Sequence, residues 1–273
     1  MEKKNDLVIH HNYLNESIFN FNELELNLFI VIIYKMREEK EALVTFNAKD
    51  IKNLINSKDR SYKKFEKIIH SLQDRTIYLK TEKGYKRVKP FPTLDFNNEQ
   101  KTIEVEVNNY LVPFFKELKE QFTQYSLKEF LKLKSKHSKR LYQLLKQYEK
   151  LGKRNFNLEL LKELLDCDTQ SYKRIYNFEN RILKTIQNDI NENTSLEVNY
   201  TKIKDGREIK SIEFDIKTRH IPQENFYVEE DSRQEIIKKS LEIFGVSYIK
   251  DLSENQKRLL NLSLELKGFK PTT

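Results

Sequence analysis

The sequence repeats itself at an offset of 110 residues, and this repeat restricts the possible folds more than any other feature. Phe46-Asn47 and the apolar residues after it recur as Phe156-Asn157 with the same spacing. Ser61-Tyr62-Lys63 recurs as Ser171-Tyr172-Lys173. Five apolar pairs share the register: Val31 and Leu141, Tyr34 and Leu144, Phe65 and Ile175, Ile68 and Phe178, Leu72 and Ile182. Agreement of this kind predicts two copies of one domain.

The repeat also predicts where the chain divides. We place the first domain at residues 1–120, the second at 121–217, and a linker with a helical tail at 218–273. Pro222 marks the linker, and the tail has helical periodicity over 229–244 and again over 253–267, where it opens at Ser253.

Each copy is predicted to contain a long helix, a short strand, two further helices and a β-hairpin. That order is typical of a winged helix, so the predicted fold class is α+β, with two tandem winged-helix domains and a helical C-terminal tail. The predicted segments are helices 21–37, 48–56 and 61–74, strand 43–46, hairpin 76–89 and an added strand 102–107 in the first copy, and helices 127–150, 158–165 and 171–190, strand 154–156 and hairpin 196–216 in the second.

Helix-start signals support these boundaries. Asn47 and Asn157 stand where an N-cap is needed, immediately before the short helices. Ser126 and Glu129 have the spacing of a capping box, in which each side chain satisfies a free amide of the other residue. In the second copy the apolar stripe Ile175, Phe178, Ile182, Ile186, Ile190 predicts a longer third helix, whose opposite face is polar.

Composition excludes several other classes of protein. The five glycines are too scattered to form a phosphate-binding loop, and no nucleophile motif is present. The single cysteine, Cys167, rules out an intrachain disulfide and fits a reducing, cytoplasmic compartment. None of the five histidines has metal-ligand spacing to it. The polar N-terminus lacks a signal peptide, and the apolar run 28–34 is too short to span a membrane. We therefore predict a protein that is not an enzyme, has no metal or cofactor and does not enter a membrane.

The excess positive charge lies in the repeated domains. The chain has a net charge of +8, and segment 58–89 holds 11 Lys/Arg against 4 Asp/Glu. Segment 128–150 holds 8 against 2. Concentrated basic charge on a helix-turn-helix scaffold is typical of phosphate binding, so double-stranded DNA is the expected partner.

The outward faces of the third helices, the hairpins and the first helix of the second copy supply the candidate contacts. Arg pairs with guanine and Asn with adenine in the major groove, whereas lysines mostly hold phosphates. We expect the second copy to read bases and the first to add affinity. An ordinary solvated surface is the alternative, above all for the hairpins and the first helix. The predicted DNA contacts are Lys63, Lys64, Lys67, Lys86, Arg87, Lys134, Lys136, Arg140, Lys173, Arg174, Asn177, Asn180, Arg181, Lys184, Lys202, Lys204 and Arg207.

The second copy resembles plasmid initiator replication (Rep) proteins of the iteron-binding type. The resemblance rests on 125–136, on 140–148 and on 178–194, followed by Val198-Asn199-Tyr200 and 204–214. It covers about residues 7–216, and it is strongest over 123–216. His137 departs from the pattern, since the family often has an aromatic residue there, and we interpret it as a helix-packing residue.

The resemblance implies a function. Such proteins bind directly repeated origin sequences (iterons), help to open the adjacent AT-rich duplex and recruit host replication proteins. Many form a homodimer through the first domain and repress their own gene at an inverted repeat. A tandem winged-helix transcriptional repressor remains a second hypothesis, and a metal-dependent nicking initiator a third, although His10-His11 lacks the metal pattern of that class.

Overall fold

The computed structural model describes residues 6–38, 43–55, 62–116, 118, 121–219, 237, 240–241, 246 and 249–266. The chain divides into two compact units, one formed by residues 6–219 and the other by residues 1–5 and 220–273. The first unit contains both copies of the repeat.

The first copy has the predicted order of helix, strand, helix, helix and hairpin. Its long helix starts with a capping box: the Asn22 amide donates to Glu25 Oε2 (2.8 Å) and the Glu25 amide to Asn22 Oδ1 (2.9 Å). The apolar run inside this helix is almost fully buried within the unit. The elements are β1 (Leu7–His11), α1 (Asn12–Asn15), β2 (Ile18–Phe19), α2 (Glu23–Glu38), β3 (Leu43–Asn47), α3 (Ala48–Leu54), α4 (Tyr62–Gln73), β4 (Ile77–Thr81), β5 (Gly84–Val88), β6 (Thr93–Asn97) and β7 (Thr102–Glu106).

The second copy keeps this order but divides its first helix. A single helix over 127–150 was predicted; the chain instead becomes extended at Leu133, and Ser135 then caps a new helix by accepting the Ser138 amide (3.0 Å). A serine N-cap in mid-pattern is the local cause of the break. The elements are β8 (Phe122–Ser126), α5 (Leu127–Lys132), α6 (Lys136–Lys146), β9 (Lys153–Asn157), α7 (Leu158–Leu164), α8 (Ile175–Phe178), a π turn (Glu179–Leu183), α9 (Lys184–Asn193), β10 (Leu196–Asp205) and β11 (Glu208–Thr218).

Hairpin 76–89 was predicted as the wing of the first copy, that is, the β-hairpin that closes the winged helix. The pairing of the strands shows that a different hairpin is the wing. In the second copy β9 pairs with β11 in the sheet β10-β11-β9, with Phe156 opposite Ile212. The matching strand of the first copy, β3, pairs with β7 in the sheet β3-β7-β6, with Phe46 opposite Ile103. The wing of the first copy is therefore the β6–β7 hairpin. The predicted wing, β4–β5, is a separate hairpin that pairs with β2.

Packing against the third helix of each copy supports this assignment. We call this element the recognition helix; it is α4 in the first copy and α8, the π turn and α9 in the second. Tyr62 and Phe65 of α4 contact Phe96 of β6, with ring centroids 6.0 and 6.3 Å apart. In the second copy, Gln187 of α9 donates to the Val198 carbonyl of β10 (3.0 Å). Each recognition helix thus packs on the first strand of its own wing.

An unpredicted strand pair joins the two copies. β1 runs antiparallel to β8, from Leu7 opposite Ser126 to His11 opposite Phe122. Five residues of the first copy are thereby bonded to the segment that opens the second. Neither strand has a hairpin partner next to it in sequence, so local patterns gave no signal for the pairing.

The predicted caps are present, with one change. Asn47 accepts the Lys49 amide, and Asn157 accepts the Glu159 and Leu160 amides. Ser126 accepts the Glu129 amide (3.2 Å), but the Glu129 carboxylate accepts from Ser195 instead of returning to Ser126. The backbone of Ser126 is already part of the β1–β8 pair, which explains the half-formed box.

In the other unit the later predicted helix is present as α10 (Glu254–Leu266). It begins with a reciprocal box between Ser253 and Gln256. Its small core comprises Ile237, Leu252, Leu260 and Leu264. Of the earlier predicted helix, residues 237, 240 and 241 are helical, and the remainder, like the linker after residue 219, lies outside the described residues.

Candidate nucleic-acid interface

The recognition element of the second copy comprises α8, the π turn and α9. The predicted helix starts later than expected: Ser171 and Lys173 lie in or next to a 3₁₀ turn, and Arg174 is the extended residue before α8. Lys173 and Arg174 are both exposed. They approach the helix from its N-terminal side, where partial positive charge also favours phosphate.

The π turn changes the phase of the helix. The Lys184 amide donates to the Glu179 carbonyl, five residues earlier, so one extra residue enters the turn. Four residues of the predicted inward stripe, Phe178, Ile182, Ile186 and Ile190, are at most 5% exposed, and the fifth, Ile175, is partly buried against the same core. Leu183, three residues before Ile186 and seven before Ile190, is buried on this side as well.

The outward face carries Arg181 and Lys184, both exposed as predicted. The two asparagines are less free. Asn177 donates to the Ser171 carbonyl (3.3 Å), and Asn180 donates to the Tyr176 carbonyl (3.1 Å) while accepting from Lys184 Nζ (2.7 Å). The amide groups expected to pair with adenine are therefore engaged within the element.

Sequence reasoning missed Tyr176, which is 71% exposed on this face. The spacing of the apolar residues was the available signal: Tyr176 follows Ile175 and precedes Phe178 by two positions, so it lies off the buried stripe.

The wing of the second copy is connected to the recognition element through one carboxylate. Lys202 Nζ donates to both oxygens of Glu179 (2.9 and 2.8 Å), and the Tyr200 hydroxyl also donates to it (3.3 Å). The hydrogen bond from Lys202 lowers the pKa of Glu179. Lys204 and Arg207 are exposed beside the turn, where Gly206 takes the left-handed φ of +61°.

In the first copy Lys63, Lys64 and Lys67 are exposed on α4, whose apolar side is buried. Lys86 and Arg87 are also exposed, but they lie on the extra hairpin β4–β5. Lys86 Nζ stands 3.6 Å from the ring centroid of Tyr110, a cation–π contact.

The same extra hairpin reaches the second copy. The Tyr85 hydroxyl donates to Glu163 Oε1 of α7 (3.1 Å). The β4–β5 hairpin therefore contributes to the junction between the copies as well as presenting positive charge.

Most basic side chains of the patch predicted on the first helix of the second copy already have partners within the chain. Lys134 pairs with Glu192 (3.2 Å), and Lys136 pairs with Asp166. Lys139 is fully buried and donates to the carbonyls of Phe130 and Leu133 at the end of α5, and burial lowers the pKa of its ammonium to about 8.

Arg140, one of the predicted DNA contacts, lies buried between the two copies and not on the surface where the prediction placed it. It is 4% exposed, and Nη2 donates to the carbonyls of Asn15 (2.9 Å) and Ser17 (2.8 Å) in the first copy. Nη1 donates to Gln143 Oε1 (2.8 Å), and the guanidinium lies over the ring of Phe19 (4.3 Å). The charge that sequence periodicity placed in solvent thus fastens α6 to the segment between α1 and β2.

Two family models match the chain in tandem. The model described as "Initiator Replication protein, WH1" matches residues 7–146, and the model described as "Initiator Rep protein, WH2" matches residues 157–216. The chain belongs to the initiator replication protein family. The prediction of two tandem winged-helix domains of the α+β class is confirmed.

Among the proteins similar to this initiator-family chain are a replication protein and an initiator of known structure. The probable replication protein rep of Bifidobacterium longum (strain NCC 2705) is 26% identical over 189 residues, which are 67% of this chain and 63% of that protein. The chain thus spans less than two thirds of its relative's length. A crystal structure of Pi initiator protein in complex with iteron DNA is 18% identical, covers 80% of this chain and 99% of that one, and superimposes with a TM-score of 0.64. At this identity the likeness concerns the fold.

The described part of this family member also bears on metal binding, thiol chemistry and membrane insertion. No group of three His, Cys, Asp or Glu residues there is arranged to hold a metal ion. Cys167 is buried, and burial raises the pKa of its thiol to about 12. No helix within the described ranges is long and apolar enough to cross a membrane.

Proposed function

We propose that this protein is a sequence-specific, double-stranded DNA-binding initiator of plasmid replication that acts in the cytoplasm. It binds directly repeated origin sequences, promotes opening of the adjacent AT-rich duplex and recruits host replication proteins. Repression of its own gene and a homodimer formed through the first domain belong to the same proposal. Neither catalysis nor a cofactor is part of it.

One observation carries the proposal: in a chain of the initiator family, both copies present an exposed basic recognition helix. Lys63 and Lys67 on α4 are exposed, as are Arg181 in the π turn and Lys184 at the start of α9, while the opposite side of each element is buried in its own domain. A helix whose one side is fixed and whose other side is cationic suits a DNA groove. Two such helices allow one chain to hold two successive segments of duplex.

Footprinting of the DNA that flanks the gene tests binding. The proposal expects protected direct repeats beside an AT-rich tract, and wild-type protein supplied with that DNA should maintain a plasmid that has no other origin. Protection of a single operator without plasmid maintenance would instead identify a transcriptional repressor.

A strand-cleavage assay tests the third hypothesis. Supercoiled DNA carrying the protected region should remain supercoiled when incubated with the protein and Mg²⁺ or Mn²⁺. Conversion to a nicked circle would contradict the non-enzymatic proposal and indicate a nicking initiator.

A further inference from the structure

We propose that Tyr176 is a base-reading residue, which recognises thymine through an apolar contact between its ring and the C5-methyl group in the major groove. The inference rests on the proposed function, since it requires that this recognition element enter a DNA groove. It goes further by assigning a base preference to a side chain outside the predicted DNA contacts.

The first argument is exposure. Tyr176 is 71% exposed, whereas Ile175 and Phe178 on the same short helix pack against the core. Its side chain makes no hydrogen bond or ring contact with the described part of the chain. A single exposed apolar side chain is common on protein surfaces, so this exposure gains its meaning from the charged residues of the same element.

The second argument is the chemistry around it. Arg174 precedes Tyr176 by two residues, and Arg181 and Lys184 follow on the same outward face, all three exposed. An exposed aromatic ring on an element that also carries three exposed cations suits a partner that is anionic and has exposed apolar groups. In the major groove the thymine methyl is the apolar group that distinguishes the bases, and aromatic side chains are among those that contact it.

The third argument is the π turn. One residue is inserted between Glu179 and Lys184. As a result, the exposed residues Tyr176 and Arg181 are five positions apart in the chain. A regular helix would have favoured Asn180 in that place. π turns are often found at functional sites, and this one sets the ring and a guanine-reading arginine as successive outward groups.

The fourth argument concerns the rival reader of an A·T pair. Asn180 donates to the Tyr176 carbonyl and accepts from Lys184 Nζ, so its amide is oriented within the element. A bidentate bond to adenine would have to use the remaining N–H and lone pair in that orientation. Tyr176 reads the same base pair from the thymine side with a ring that has no such competing contacts.

Selection from a library of randomised DNA duplexes tests the inference with the full chain. Wild-type protein and Tyr176→Phe should select the same motif, because phenylalanine keeps the ring and loses only the hydroxyl. Tyr176→Ala should select a motif that has lost its preference for thymine at one position. Arg181→Ala, the matched control on the same face, should keep that thymine and lose preference at another position.

Deoxyuridine then probes the methyl group directly. Replacing that thymine by deoxyuridine in the selected duplex should weaken wild-type binding about fourfold, the effect of one buried methyl-sized group. Tyr176→Ala should bind the two duplexes equally.

Three results would overturn the inference. If Tyr176→Ala selects the wild-type motif, Tyr176 does not read a base, although the proposed function stands. If Tyr176→Phe weakens binding as much as Tyr176→Ala on every duplex, the hydroxyl contacts phosphate instead. If the wild-type protein selects no motif, sequence-specific binding fails, and the inference fails with it.

Discussion

At the scale of single residues, charge alone did not distinguish a DNA contact from a structural group. Arg140 and Lys184 both belong to basic, amphipathic helices, yet Arg140 is 4% exposed and Lys184 is exposed. The difference arises because backbone carbonyls of Asn15 and Ser17, more than 120 residues away in sequence, stand where Arg140 donates. Burial of that guanidinium is tolerable because these carbonyls of the other copy accept hydrogen bonds from it.

Arg140→Met should destabilise the folded protein without removing a DNA contact. Methionine keeps much of the side-chain volume but leaves two buried carbonyls without a donor, so we expect a loss of about 2–4 kcal/mol in the free energy of unfolding. Urea denaturation measures it. The exposed Lys63→Met is the matched control and should change the free energy of unfolding by less than about 0.5 kcal/mol. If Arg140→Met leaves the free energy of unfolding unchanged and weakens DNA binding, Arg140 is a DNA contact and not a structural residue.

His10 should make the folded protein sensitive to acid. It is 2% exposed on β1, its Nε2 has no hydrogen-bond partner among the residues that the structure describes, and burial lowers its pKa from 6.5 to about 4. Between these values the unfolded chain binds a proton that the folded chain excludes, so stability falls as the pH falls. We expect His10 to contribute a loss of about 3 kcal/mol between pH 6.5 and 4.

Urea unfolding at several pH values measures this loss, and His10→Gln should reduce it. An identical pH profile in the wild type and His10→Gln would show that His10 does not titrate in this range.

At the scale of elements, the wing and the recognition helix of the second copy are joined by hydrogen bonds. Glu179 in the π turn receives Lys202 and Tyr200 of β10, so the charge of Lys202 is already neutralised locally. Lys204, two residues further along the same strand, is exposed beside the turn. The two lysines look equivalent in the sequence and differ only through this carboxylate.

Lys204→Met should therefore reduce the salt dependence of DNA binding, whereas the charge-balanced double variant Glu179→Gln/Lys202→Met should not. Removing one phosphate contact lowers the slope of log K against log salt by about 1. Fluorescence anisotropy with a labelled duplex at several salt concentrations measures both variants. An equal reduction in the double variant would mean that Lys202 contacts phosphate despite its partner.

At the scale of the whole molecule, the two copies are joined by the β1–β8 strand pair and by Arg140, and each presents its own basic helix. If both helices engage one duplex and about 8 phosphates are neutralised, log K should fall with log salt at a slope of about −7. The same anisotropy titration measures it on wild-type protein. A slope shallower than about −3 would mean that only one basic surface binds.

The sequence by itself determined the repeated order of elements and the inward stripe of the recognition helix. Both follow from local causes: apolar period, asparagine caps and turn residues act within a few positions of the chain. The caps at Asn47 and Asn157 and the buried positions from Phe178 to Ile190 are where the pattern placed them.

Only the tertiary structure decided which hairpin is the wing of the first copy and which charges are buried. Both depend on groups distant in sequence: β3 pairs with β7 and not with β5, and the carbonyls of Asn15 and Ser17 accept from Arg140. Strand pairing and burial are properties of assembled surfaces, and a periodic pattern carries no information about which distant surface it will meet.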